Sequence, residues 1–204
     1  HDAFLALRMA ELEAASVPAF ERLGRELAAL GAPRDLVSRV DLAMADEVRH
    51  VEVMTAMARG YGAAPRTPLA GALPLRPALE VAIENATEGC VRETFGALVA
   101  TYQAARAAPE LRATFTAIAA DERSHAELSA DVDAWLTAEL PPCARAEVRA
   151  ARDQAIADLR AELAEAPASE ALGLPGPEVA QALADALFGA APVSARRDPP
   201  AGTT

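Results

Sequence analysis

The sequence contains no lysine, only two cysteines and few aromatic residues. Its 204 residues include 19 arginines against 30 acidic residues, so the formal net charge is −11. An acidic surface is poorly suited to neutralising phosphates, which argues against nucleic acid as a partner. Cys90 and Cys143 lie far apart and form no C-x-x-C motif, so no disulfide framework is expected, and a reducing, cytoplasmic compartment is favoured.

Long apolar runs are missing as well. No stretch approaches the roughly 20 consecutive apolar residues of a membrane-spanning helix, so we expect no membrane partner. Valine, isoleucine and aromatic residues are sparse, whereas alanine, the strongest helix former, supplies 53 residues. The composition therefore predicts an all-α fold.

Glycine and proline divide the chain into six predicted helices. A long Gly- and Pro-rich stretch, about residues 62–76, separates the second helix from the third, whereas short links join the other helices of the first four. The helices cover about residues 3–30, 34–59, 77–107, 110–139, 143–166 and 177–189. Two hairpins joined by one long crossover are typical of a four-helix bundle. We assign residues 1–139 to this bundle, 140–190 to a C-terminal helical extension packed on it, and 191–204 to a disordered tail.

The first four predicted helices share an apolar stripe that glutamate interrupts, and the two hairpins repeat each other. A shift of 75 residues, without gaps, places Glu13 on Glu88. The same shift superposes two Asp-Glu-x-x-His motifs, residues 46–50 and 121–125. Histidine occurs only three times in the chain, so two of them in one repeated motif are a specific pattern.

The repeat brings six metal-binding side chains to a similar depth between the helices. Glu and His at i, i+3 share one face of a helix, and 34 residues separate the lone Glu of each hairpin from its motif Glu. The six residues are Glu13, Glu47, His50, Glu88, Glu122 and His125. Four buried carboxylates need compensating charge, and carboxylates with imidazoles suit iron or manganese. The pattern therefore predicts a site for two such cations.

These motifs resemble the ferritin-like di-iron or di-manganese carboxylate family, which uses one Glu from each of two helices and Glu-x-x-His from each of two others. The resemblance covers about residues 5–137. It implies a ferritin-like four-helix bundle with two iron ions, or manganese in their place, held by the six residues above. Either glutamate of a pair is compatible with a bridging role. The implied activity is that of a non-haem oxidoreductase acting on O2 or peroxide.

The acidic residue before each motif glutamate extends the resemblance. The Asp-Glu-x-x-His form is similar to soluble oxygenases and desaturases in which this Asp hydrogen-bonds a ligand His on the facing helix. By that similarity Asp46 would pair with His125 and Asp121 with His50, which would orient the imidazoles. A simple exposed acid is the alternative for both aspartates.

Other positions depart from the family. Phe20 and Phe95 stand where many ferritins and rubrerythrins have a redox-active Tyr. Met54 and Ser129 stand one turn after the two motif histidines, where no Tyr is present either, so a radical-storing role is unsupported. Without a C-x-x-C module, electrons would have to come from an external donor. Glu84 lies one turn before Glu88 and is compatible with an extra ligand, a proton relay or a solvent-exposed position. Glu93 lies off the stripe, so we expect it to pair with Arg92 or Arg22 instead of binding metal.

The oxidised substrate stays open at this stage. The missing tyrosines and the motif form slightly favour an oxygenase or oxidase. The alternatives are an iron-binding ferroxidase or storage protein without an organic substrate, a manganese-dependent peroxide scavenger, and a helical scaffold with a vestigial site. A tRNA-modifying hydroxylase is also similar, but the acidic chain offers no phosphate track. A homodimer contact is compatible with the apolar residues Val179, Leu183 and Leu187.

Overall fold

The computed structural model describes residues 1–65 and 74–190, and in these residues the chain is helical without a β-strand. The helices are α1 (Asp2–Leu30), α2 (Arg34–Gly60), α3 (Ala78–Glu84), α4 (Thr94–Arg106), α5 (Arg112–Glu139), α6 (Pro142–Leu163) and α7 (Pro177–Phe188), with a π-helical segment at Asn85–Glu93. The all-α prediction is confirmed. Most of the expected crossover (residues 66–73) and the expected disordered tail (191–204) lie outside the described residues. Among the described helices, none has the length and apolarity needed to cross a membrane.

A tight turn holds α1 and α2 side by side. Gly31 ends α1 with a φ of +82°, a conformation that glycine adopts without steric cost. Its N–H donates to the carbonyl of Ala28, and the N–H of Ala32 donates to the carbonyl of Leu27. Pro33 then precedes the first residue of α2. This short link fixes which residues of α1 and α2 lie at the same depth.

The helix that begins at Ala78 continues to Arg106, but its middle is π-helical. The segment includes asparagine, threonine, glycine and cysteine, which are weak α-helix formers. The Thr94 hydroxyl donates to the carbonyl of Gly89 at 3.0 Å. Gly89 also lies close to α5, because a Cβ atom there would stand 2.7 Å from Ser129 Oγ. A π turn takes in one more residue than an α turn, so it rotates the side chains that follow.

Two apolar clusters lie on either side of a polar layer. Along α2, Val40 belongs to one cluster and Met54 to the other, and the buried Glu47 and His50 lie between them. Along α5 the order is reversed, with Phe115 and Ile118 before the motif and Leu128, Val132 and Leu136 after it. The same clusters take in α1, α3 and α4. The motif residues of α2 and α5 are therefore enclosed by apolar layers.

The C-terminal helices pack against the second hairpin. α6 contacts α3 and the π segment, and α7 contacts α4 and α6. A third apolar cluster joins Val91 and Phe95 to Leu159 and to α7. Among the residues expected at a dimer contact, Leu183 packs against this cluster, whereas Val179 and Leu187 remain partly exposed.

A buried ion pair joins α1 to the chain just before α3. Glu26 is fully buried and accepts hydrogen bonds from the backbone N–H of Arg76 at 3.0 Å and from its guanidinium at 2.8 Å. Burial alone would raise the pKa of the Glu26 carboxyl, but the bonds from Arg76 outweigh it and lower this pKa. The ion pair therefore stabilises the fold at neutral pH and loses its contribution as the pH falls below the usual range of a glutamate.

The substitution Glu26→Gln is expected to lower the free energy of unfolding at pH 7 by about 2 kcal/mol, because it removes the buried charged acceptor of the Arg76 hydrogen bonds and leaves Glu84 as the remaining carboxylate partner of this guanidinium. Urea denaturation followed by circular dichroism measures this loss. Glu52→Gln, at an exposed position of α2, is the control and should change stability little. Equal effects of the two substitutions would contradict a stabilising role for the pair.

Candidate metal centre

Helices α2 and α5 place their motif residues in the enclosed layer. The side chains of Glu47, His50 and His125 are almost completely buried, and that of Glu122 is 12% exposed. Glu and His lie three residues apart in each motif, so both point to the same side of their helix. Because α2 packs against α5, the two motifs face each other, and the centroids of the imidazole rings are 6.0 Å apart.

Two groups of four side chains converge here. In each group, one nitrogen or oxygen atom per residue lies within 4.8 Å of the corresponding atoms of the others. The first group is Glu13, Glu47, His50 and Glu122, and the second is Glu47, Glu93, Glu122 and His125. Glu47 and Glu122 belong to both groups. The arrangement is that of two adjacent cation positions with two carboxylates common to both.

The distances show that each imidazole faces the carboxylates through Nδ1. His50 Nδ1 lies 3.3 Å from Glu122 Oε1 and 3.4 Å from Glu13 Oε2. His125 Nδ1 lies 3.2 Å from Glu47 Oε1 and 3.3 Å from Glu93 Oε1. A neutral imidazole with its proton on Nε2 would offer the Nδ1 lone pair to a cation at this place.

Four buried atoms of this layer make no well-directed hydrogen bond, although carboxylate oxygens lie 3.2–3.4 Å from both Nδ1 atoms. They are His50 Nδ1, His125 Nδ1, Glu47 Oε2 and Glu93 Oε1. Nearly all buried polar atoms of folded proteins are hydrogen-bonded, because an unsatisfied one costs free energy. Imidazole nitrogen and carboxylate oxygen are ligands for iron, manganese or zinc. The donor set therefore fits two divalent cations, which would satisfy these four atoms together.

The opposite nitrogen of each imidazole contacts an aspartate of the facing helix. His50 Nε2 lies 3.1 Å from Asp121 Oδ2, and His125 Nε2 lies 3.3 Å from Asp46 Oδ2. This is the crossed arrangement expected from the sequence, and it directs Nδ1 of both rings toward the carboxylates. Arg49 joins the aspartates, with one guanidinium nitrogen 2.6 Å from Asp46 and the other 3.1 Å from Asp121.

The structure does not bring Glu88 to this layer, so its position differs from the one expected from the sequence. The Glu88 side chain is 63% exposed and lies 3.7 Å from Arg92. The expected position assumed an α-helix without interruption, whereas the extra residues taken in by the π turns leave Glu88 facing outward and turn Glu93 inward. The other five expected residues converge, and Glu93 supplies the sixth side chain.

The neighbouring glutamates also differ from expectation. Glu93 pairs with neither arginine proposed for it, because Arg92 forms two hydrogen bonds to Glu162 and Arg22 forms two to Glu84. Glu84 additionally contacts Arg76 and lies outside both four-residue groups. Glu84 is therefore one member of an ion-pair network at the start of this helix.

Two of the residues that complete the layer were missed from the sequence. Glu93 could have been found from the poor α-helix formers between Asn85 and Cys90, which indicate a local change of helical geometry. Arg49 follows Asp46 by three residues, a spacing that places both side chains on one face. Its contact with Asp121 depends on how α2 meets α5 and has no pattern in the sequence.

The titratable groups of the metal-free layer retain protons. Burial and the neighbouring carboxylates raise the pKa of Glu47 to about 8 and that of Glu122 to about 7. Burial lowers the pKa of His50, but the carboxylates of Glu122, Glu13 and Asp121 outweigh it and raise this pKa to about 11. For His125, burial is outweighed in the same way by Glu47 and Glu93, and the pKa rises to about 10.

These shifts predict how the stability of chelator-treated protein depends on pH. All four groups bind protons more tightly in the folded than in the unfolded chain, so the free energy of unfolding falls as the pH rises. The stabilising contribution of the protonated carboxyl groups is lost as the pH rises from their ordinary pKa of 4.5 to about 8. The contribution of the protonated histidines is lost as the pH rises above their ordinary pKa of 6.5. The thermal midpoint should therefore fall from about pH 5 to about pH 9. A midpoint that rises over this range would contradict the proton-retaining layer.

No family model, curated protein or solved structure matches this chain significantly, so the candidate metal centre stands on its own geometry.

Proposed function

We propose that α1, α2, the helix from α3 to α4, and α5 form a ferritin-like four-helix bundle with one long crossover between α2 and α3. Three features support this architecture: two antiparallel hairpins, the contact of α2 with α5, and apolar clusters that include side chains from all four long helices. In such a bundle, metal ligands project inward from facing helices at mid-depth.

We further propose that the protein is a non-haem di-iron oxidoreductase acting on O2 or peroxide. The observation that carries this proposal is the set of four buried atoms without a well-directed hydrogen bond, within two groups that share Glu47 and Glu122. Glu13 with His50 would hold one ion, Glu93 with His125 the other, and the shared glutamates are available to both. Two iron ions bound there would supply the electrons that reduce O2 or peroxide.

The residues of the chain have separable roles in this proposal. The carboxylates would balance the charge of the cations, and the apolar clusters above and below shield the layer from bulk water along the direction of the helices. Asp46 and Asp121 hold the imidazoles in one orientation, and Arg49 holds both aspartates. The described residues contain no C-x-x-C pair, so the electrons for repeated turnover would come from a separate donor.

Oxygen consumption by iron-loaded protein tests the function. The protein is loaded with iron(II) under anaerobic conditions and mixed with oxygenated buffer in an oxygen electrode. We expect faster consumption than with the same iron(II) concentration in buffer, and no acceleration by a variant carrying Glu47→Gln and Glu122→Gln. Equal rates for the protein and for free iron would contradict the proposal. Peroxide decomposition by manganese-loaded protein alone would identify the manganese-dependent alternative.

A further inference from the structure

A cleft of about 570 Å³ lies between α1 and the helix that runs from α3 to α4. α1 packs along α2 and touches α3, but it has few contacts with the π segment or α4, so this side stays open. Residues from Met9 to Leu23 form one wall. At ~1.5 Å per residue this wall is roughly 21 Å long, so the cleft is long and narrow. Its volume lies within the ~300–1,000 Å³ of small-molecule sites.

Small side chains on both walls create the space. Ala15 and Ala19 line the cleft on α1, and Gly89 and Gly96 line it on the opposite helix. A Cβ atom added at Gly96 would have no heavy atom within 4 Å, so the volume beside Gly96 is not filled by the protein. Most of the remaining lining is apolar, including Leu12, Phe20, Phe95 and Val99.

The cationic side chains of the described walls are already paired. Arg76 binds Glu26 and Glu84, and Arg92 forms two hydrogen bonds to Glu162 at 2.7 and 2.8 Å. The wall amides are used as well, since Gln103 donates to the carbonyl of Leu172 and Asn85 to that of Ser129. These walls therefore offer a ligand apolar contact and no free positive charge.

The cleft reaches the candidate metal centre from its carboxylate side. Its lining includes six glutamates, of which Glu13, Glu47, Glu93 and Glu122 belong to the candidate metal centre, but neither imidazole. A molecule lying along the cleft would thus pass beside the carboxylates of both four-residue groups. These carboxylates would repel an anionic ligand, and the described walls offer it no free cation as a partner, which disfavours a negatively charged ligand.

We propose that this cleft binds the substrate of the metal centre and that the substrate is an elongated, largely aliphatic molecule without negative charge. That the bound molecule is a substrate rests on the proposed oxidoreductase function. The binding site itself rests on the paired charges, the small wall residues and the length of the cleft. A binding site of this kind favours an enzyme with an organic substrate over an iron-storage protein.

Binding is tested with a neutral fluorescent probe, N-phenyl-1-naphthylamine, on chelator-treated and on zinc-loaded protein, because zinc supports no redox turnover. We expect saturable fluorescence enhancement and displacement by decan-1-ol at least about tenfold more effective than by decanoate. Gly96→Leu and Ala19→Leu fill the cleft from opposite walls and should each weaken probe binding at least about tenfold. Gly60→Leu, at a glycine with equally free space outside the cleft, should have no effect.

Three results would overturn the inference: absent or unsaturable binding, full binding by both cleft-filling variants with native circular dichroism, or displacement by decanoate as effective as by decan-1-ol. The metal content of every protein is measured in parallel. Probe binding that depends on Gly96 in a protein without metal affinity would refute the oxidoreductase and leave the apolar site. Metal binding without probe binding would refute the apolar binding site and leave the metal centre.

Discussion

Replacing both shared glutamates, Glu47→Gln with Glu122→Gln, is expected to abolish stable metal binding while the helical content stays unchanged. Both residues belong to both four-residue groups, so one double substitution removes two anionic ligands from each cation position. The loss should exceed the ~10–100-fold that is typical of residues behind the ligands. Metal analysis after dialysis and isothermal titration with zinc measure the loss.

The same double variant should be more stable than the native chain when both are free of metal at about pH 8. Glutamine keeps the volume of glutamate and carries no charge to desolvate, and burial is the main cause of the raised pKa of Glu47. The matched control is Glu52→Gln with Glu127→Gln, which makes the same changes at exposed positions of α2 and α5. Loss of metal from the control as well would contradict a specific role for the shared pair.

Glu93→Gln is expected to lower the affinity for the cation at the second group, which contains His125, at least about tenfold. The affinity for the cation at the first group, which contains His50, should stay unchanged. The Glu93 carboxylate lies 3.3 Å from His125 Nδ1 and belongs to only one of the two groups. Competitive titration with a chromophoric zinc chelator resolves the two binding steps. The protein should then retain one tight site in place of two.

Glu88→Gln provides the matched comparison, since it makes the same chemical change five residues earlier in the same π segment. Because the Glu88 side chain is largely exposed, both binding steps should keep their native affinities. The opposite order of effects, with Glu88 required and Glu93 dispensable, would favour the register of an uninterrupted α-helix. It would contradict the π-helical segment as the device that selects the ligand.

Most of the candidate site could be predicted from the sequence because helical periodicity decides it. Glu47 and His50, like Glu122 and His125, lie three residues apart and must share a face. Equal spacing to the turn at Gly31 sets the depth of Glu13 relative to Glu47. The crossed contacts of Asp46 and Asp121 follow from the same periodicity once α2 faces α5.

The difference between the expected and the observed position of Glu88 has a definite physical cause. A shift of 75 residues without gaps assumes equal helical geometry in both hairpins, and the first hairpin has no π segment. The close approach of Gly89 to Ser129 and the hydrogen bond of Asn85 to α5 favour the wider turns in the second hairpin. These are tertiary contacts. The local sequence therefore indicates that the α-helix is weak here, but it does not indicate which residue turns inward.

Neither the cleft nor the contacts of Arg49 could be predicted from the sequence. Alanine and glycine on a helix face are compatible with close packing as readily as with an open space. Only the separation of α1 from α4 distinguishes the two cases, and that separation is a property of the assembled helices. The link from Arg49 to both aspartates depends in the same way on the meeting of α2 and α5.

The most direct test of the account is the metal content of the native chain, measured by mass spectrometry on protein expressed with iron and manganese both supplied. The dinuclear arrangement requires about two metal ions per chain, bound in the same amount after gel filtration. The account expects iron at this ratio. Less than about one ion per chain, unchanged by the substitutions at Glu47 and Glu122, would contradict the metal centre and leave a helical scaffold.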